Sequence, residues 1–198
     1  MIILIIVIII AFILVKILNE DSSNQSWIFE SPARRAGRKG EQYATEVIQS
    51  VLREDDHLLT NVEISYKDRP AELDNVIVNQ YGVFIIEVKN YNGTLEGEED
   101  DYEWTKYHTT DAGNTYSKTV KNPIKQVKRQ VYLLAKYLET YSSTRVWIEG
   151  YAFLLKGNSP IESKYVLETF QDIDSAVHTF NRNRLTSKEM DEILRILS

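Results

Sequence analysis

The chain has 198 residues, 43% of them hydrophobic and 26% charged, which excludes a disordered polymer and leaves room for one domain with a real core. It has no cysteine, so disulfides, thiolate metal sites and cysteine nucleophiles are excluded together. With three scattered histidines and a net charge of −6, any metal would be a hard cation on carboxylates, and any polyanion-binding patch would be local.

In chain order, Met1 to Val15 are uninterruptedly apolar, and Ile17 and Leu18 extend the run past Lys16. Residues 1–18 are at the short end of what spans a bilayer, and Lys16 sits where its stem can snorkel to the interface. A cleaved signal peptide competes with this reading. However, no basic residue precedes the run, and Asn19-Glu20-Asp21-Ser22 offers no small-x-small cleavage site. Lys16, Arg34, Arg35, Arg38 and Lys39 all follow the apolar stretch and none precedes it. The positive-inside rule therefore predicts a single-pass anchor in the cell membrane, with the rest of the chain facing the cytoplasm. Residues 19–33 read as a polar linker and residues 34–198 as the domain.

From Arg38 to Leu52 the spacing of Ala44, Val47, Ile48, Val51 and Leu52 predicts a helix. Leu58 to Ser65 reads as a strand, followed by a turn through Asp68-Arg69-Pro70. Glu72 to Asn79 and Val83 to Val88 form a hairpin about Gln80-Tyr81-Gly82. Trp104 is placed on a further short strand, and Asp111 to Lys121 reads as polar loop. Pro123 opens a helix with the stripe Ile124, Val127, Val131, Leu134 and Leu138. Arg145 to Leu155 is a strand, and Ile173 to Phe180 and Ser187 to Leu197 are closing helices, with Ser187 as N-cap of the last. This order predicts an α/β (α+β layered) fold, a mixed central sheet flanked by helices.

The hairpin carries the chemistry. Alternation puts Glu87 and Lys89 on one strand face, and hairpin pairing brings Asp74 beside Glu87 or nearly so. Two such carboxylates repel, and a shared divalent cation relieves them; magnesium suits a site with one or two carboxylates. Lys89 can orient or deprotonate a water, hold a phosphate, or serve only as a salt bridge. Glu41 falls on the apolar face of the first helix, where a carboxylate must be paired or bind something, unless it merely favours the helix N-terminus. Lys121, Lys125 and Lys128 share one helix face, with Lys118 and Arg129 nearby. That is either a phosphate-contacting patch or an ordinary solvated face. Trp104, Tyr102 and Tyr107 offer stacking surfaces for single-stranded bases, or belong to the core.

Four blocks in this order resemble the PD-(D/E)xK nuclease superfamily and, within it, the nuclease-related domain (NERD) family. They are Gly37-Arg38-Lys39-Gly40-Glu41, Glu72-Leu73-Asp74, Gly82 to Asn90 with Gly93, and Asn122-Pro123-Ile124-Lys125-Gln126, within roughly half the chain. The resemblance implies a restriction-endonuclease-like sheet and phosphodiester hydrolysis with Mg2+ (or Mn2+), on DNA or RNA, DNA being the more expected of the two. It makes Asp74 and Glu87 the metal ligands, Lys89 the catalytic lysine, Glu41 an accessory acid and Gln126 a site residue. Two positions depart from it. Asn75 stands where the family favours histidine, and Gln130 rather than tyrosine follows Gln126 by four. The rival expectation is a membrane-tethered nucleic-acid- or protein-binding adaptor that keeps the fold without turnover.

Overall fold

A computed structural model describes residues 32–179 and 184–198, and residues 36–198 form one compact unit. The other unit, residues 1–35, contributes only the first helical residues, 32–35, to the described part. The expected membrane span at 1–18, and the linker up to residue 31, lie outside the described residues. Among the described residues no helix is long and apolar enough to cross a membrane.

The first helix, α1, runs Pro32–Val51, six residues earlier than the apolar spacing predicts, because proline is well suited to a first helical position. Strands β1 (His57–Tyr66), β2 (Arg69–Asn79) and β3 (Gly82–Lys89) follow as an antiparallel meander. The β1–β2 turn is Lys67-Asp68 rather than Asp68-Arg69-Pro70. Both residues have positive φ, 49° and 59°, the primed two-residue turn that matches strand twist, and Arg69 is left to pair with Tyr66.

Next come β4 (Thr94–Glu96), β5 (Glu103–Thr109) and β6 (Thr115–Lys121), a separate three-stranded antiparallel sheet. The stretch read as polar loop, Asp111 to Lys121, thus contains a full strand. β6 is exposed along nearly its whole length, so no buried side chains impose the alternation that reveals a strand in sequence. Helix α2 (Pro123–Tyr141) is capped by Asn122, whose side chain accepts the Ile124 N–H at 2.9 Å. Strands β7 (Ile148–Leu154) and β8 (Val166–Leu167) and helices α3 (Phe170–His178) and α4 (Ser187–Leu197) complete the chain. Thr186, not Ser187, caps α4: its hydroxyl accepts the Glu189 N–H while the Glu189 carboxylate returns to Thr186 N–H, a capping box.

The main sheet has the order β1-β2-β3-β7-β8 and is mixed, since β7 runs parallel to β3 and β8 to β7. Val76, Val78, Val83 and Ile85 face Leu133, Leu134 and Leu138 of α2 and Met190, Ile193 and Leu197 of α4. Ile77, Phe84, Ile86 and Val88 face Ala44 and Ile48 of α1 and Ile173 and Val177 of α3. Helices therefore cover both faces of a mixed sheet, the α/β class expected.

Two glycines set how closely the helices approach. A Cβ on Gly40 of α1 would lie 3.0 Å from Asn90 Nδ2 and 3.1 Å from Leu155 Cδ1, beside the end of β3. A Cβ on Gly150 of β7 would lie 2.4 Å from Val127 Cγ1 and 2.7 Å from Val131 Cγ2, so Gly150 seats α2 on the sheet. Valine side chains have little freedom to move aside. Gly150→Ala is expected to cost about 1–3 kcal/mol in urea unfolding through overpacking. Adding Val127→Ala should recover part of that loss, because the two sites touch. Additive losses would show that α2 does not bear on Gly150.

Candidate active site

The β2–β3 ladder runs from Asn79↔Gly82 to Asn75↔Ile86 and stops there, one position before Asp74 would meet Glu87. The Val88 N–H is taken instead by Asp74 Oδ2 at 2.8 Å. Side-chain phase also slips here. Leu73, Val76 and Val78 all belong to the α2-side core, whereas Asn75 is bonded to Thr45 of α1, its Oδ1 3.2 Å from Thr45 Oγ1. Strict alternation cannot place 73, 76 and 78 together, so the slip falls at Asp74-Asn75. On β1 the facing residue is Asn61, held at a φ of 53°. The parting strands thus let the Asp74 carboxyl serve a cleft on the α1 side and remain next to Glu87.

That cleft, of about 410 Å3, is lined by Arg38, Glu41, Thr45, Thr60, Asp74 and Asn75 among others. Glu41 is exposed rather than on the buried face, so burial does not oblige it to bind anything, and it lies well inside α1, not in its first turn, so favouring the helix N-terminus does not explain it either. Glu87 is turned towards α2 and is 3% exposed. Its Oε1 accepts from Lys89 Nζ and Gln126 Nε2, both at 2.5 Å, and its Oε2 from Gln130 Nε2 at 2.6 Å. Asp74, Glu87, Lys89 and Gln126 are therefore brought together, whereas Glu41 lines the α1-side cleft with Asp74, and Glu87, Lys89 and Gln126 do not line it.

Charge shapes the group. Burial, then the Glu87 carboxylate and more weakly Glu41, push the Asp74 carboxyl up to about 6, against the opposing pull of the Val88 N–H and Lys89. Burial disfavours the Lys89 ammonium, but Glu87 outweighs it by charge and by hydrogen bond and holds Lys89 above the usual lysine range. Lys89 is thus held as a donor to Glu87.

Among the described residues no three His, Asp or Glu side chains converge as a ready cation cage. What converges is the Asp74–Glu87 carboxyl pair, with Gln130 against Glu87 through its Nε2 and its buried Oε1 left without a hydrogen-bond partner. That donor set fits a hard cation held by two carboxylates with the balance supplied by water. Gln130 was missed in sequence, where its position showed only as a missing tyrosine. The available signal was a polar residue inside the apolar row, three after Val127 and four before Leu134. Its Nε2 also reaches Glu72 O at 3.0 Å, tying α2 to β2.

The lysines of α2 are placed differently from an open patch. Lys125 is paired with Asp100 at 3.2 Å and Lys128 with Glu99 at 2.9 Å, and Lys128 also lies over the Tyr165 ring. Asn122 Nδ2 holds the same acidic loop by Glu98 O, Glu99 O and Asp101 O. Lys121 stands opposite Glu103 across the β5–β6 ladder. Trp104 is core, 1% exposed, and Tyr107 is bonded to Glu96, whereas Tyr102 is open to solvent. His178 has both ring nitrogens committed, to Asp56 at 2.8 Å and Asp174 at 2.6 Å.

An acid and an acid-x-lysine on parting strands, backed by glutamines from a helix, is the layout of a nuclease-like protein. Residues 36–155, more than half of the chain, match the nuclease-related domain family, and the chain belongs to it. An uncharacterized protein of Bacillus anthracis is 23% identical over 159 residues, which cover 79% of this chain and 73% of that protein. No solved structure matches the chain.

Proposed function

We propose that the protein is a membrane-anchored, Mg2+-dependent (or Mn2+-dependent) nuclease that hydrolyses phosphodiester bonds of DNA (or RNA). The observation that carries this reading is the juxtaposition of Asp74, whose side chain accepts the Val88 N–H, with the buried Glu87 carboxylate; burial first and Glu87 second lift the Asp74 carboxyl to about 6. A purely structural pair gains nothing from such repulsion, whereas a cation would relieve it. Asp74 and Glu87 would hold the ion. When bound, the ion supplies Lewis-acid polarisation of the phosphate and a water acidic enough to attack at neutral pH. Gln126 and Gln130 fix the Glu87 carboxylate, so its orientation does not have to be found during the reaction. The Lys89 ammonium holds the scissile phosphate or the attacking water by hydrogen bond and charge. Glu41, in the cleft with Arg38 and Asp74, orders water on the side from which substrate enters.

The test is cleavage of single- and double-stranded DNA and RNA by the full chain with Mg2+ or Mn2+, and with EDTA. Metal-dependent cleavage that EDTA stops is expected, on DNA or on RNA. Without cleavage of any substrate, the adaptor stands in its place. The anchor is tested separately: protease added outside intact cells should spare residues 34–198. A mature chain beginning near Asn19, or digestion from outside, would reject the topology.

A further inference from the structure

Across the β5–β6 ladder, directly opposite residues share a face. Trp104 faces Val120, Lys106 faces Lys118, and His108 faces Tyr116. The first pair roots the hairpin in a core shared with Leu95, Ile124 and Leu154. The second places two ammonium-bearing side chains directly opposite each other, an arrangement that destabilises a sheet unless something anionic lies between them. No ion pair among the described residues involves either lysine, in contrast to Lys125 and Lys128. The nearest acid on the neighbouring strand, Glu96, lies in the register with Thr105 and is bonded to Tyr107, on the opposite sheet face. Beyond the lysines, the Tyr116 ring is 61% exposed, and His108 beside it is exposed. β6 leads through Asn122 directly into α2, the helix that supplies Gln126 and Gln130.

We propose that this face of the hairpin is where the nucleic-acid strand is gripped, Lys106 and Lys118 straddling its phosphates and Tyr116 stacking on a base. The inference rests on the nuclease reading and gives that site its substrate-holding arm. Charge complementarity selects the partner. The cations offered to a phosphate backbone are Lys106 and Lys118 of the hairpin, because Lys125 and Lys128 of α2 are paired with Asp100 and Glu99 and Arg129 reaches the Pro70 carbonyl. An exposed ring next to paired lysines suits a single strand, whose bases are free to stack.

Binding of a labelled single-stranded oligonucleotide to the full chain in EDTA, followed by fluorescence anisotropy across a salt series, tests this. The double substitution Lys106→Ala/Lys118→Ala should lower the slope of log affinity against log salt by about 1.4, two single-strand phosphate contacts. Lys106→Arg/Lys118→Arg should keep the slope, which separates charge from folding. Tyr116→Ala should weaken binding about tenfold at every salt concentration. Lys125→Ala should shift binding less than either lysine of the hairpin. An unchanged slope in the double alanine variant, no oligonucleotide binding by the parent, or lysine-dependent binding only to phosphatidylglycerol vesicles would each overturn the proposal. If cleavage persists while the alanine variant binds normally, the arm is wrong and the nuclease stands. If lysine-dependent binding occurs without any cleavage, the arm stands and the nuclease falls.

Discussion

Asp74→Asn should abolish cleavage while leaving the protein folded. The substitution keeps size and shape, and the asparagine carbonyl can still accept the Val88 N–H that Asp74 Oδ2 now accepts. What disappears is one of the two charges that would hold the cation. Metal catalysis supplies several kcal/mol to such reactions, so the cleavage rate should fall by about 10^2–10^4-fold. Stability should move the other way. With no ionisable group at 74, Glu87 loses its repulsive neighbour, and the metal-free variant should unfold at a urea concentration equal to or above that of the parent near neutral pH. An inactive variant that had also lost stability would leave a folding defect as the cause. Full activity in the variant would remove Asp74 from the chemistry.

The second large effect is a dependence of stability on pH that the metal should erase. The Asp74 carboxyl stands at about 6 in the fold against 3.8 ordinarily. The folded state therefore binds the proton more tightly than the unfolded chain does. The stability this contributes is fully present below 3.8 and is lost as pH rises through about 6. Two pKa units correspond to about 3 kcal/mol, and because the cleft admits water the expected loss is about 1–3 kcal/mol. Urea unfolding of the metal-free parent should show that decline, and Asp74→Asn should lack it. Mg2+ binds the deprotonated pair, so its addition should restore stability above pH 6 and have little effect well below it. Cleavage should rise with pH through the same window. A decline of equal size in Asp74→Asn would assign the titration to another group.

Much of the site's architecture was legible because burial imposes pattern. The run Val83 to Lys89 alternates about a sheet covered on both faces, so its charged end stands out against an apolar row. The stripe of α2 was legible for the same reason. What escaped lacked that imprint. β6 has almost no buried side chain, so its register, and with it the Lys106–Lys118 pair, exists only through backbone pairing. The ion pairs of Lys125 and Lys128 join residues more than two dozen positions apart, and helical spacing says nothing about a loop that folds back. The slip of phase at Asp74 stands opposite Asn61, whose φ is positive, and strict alternation within β2 alone does not show it. Gln130 was the subtler case. As a departure from a motif it reads as a loss, but in the fold its amide donates to Glu87 Oε2 and bonds the backbone of β2.

The central claim is that Asp74 and Glu87 together hold one divalent cation. Titration of the full chain with Mn2+ at pH 7.5, with free ion read by electron paramagnetic resonance, measures this directly. One ion bound per chain, competed off by Mg2+ and lost in Asp74→Asn, is the predicted result. Binding of Mn2+ that is undiminished in Asp74→Asn, or no binding by the parent, would contradict it.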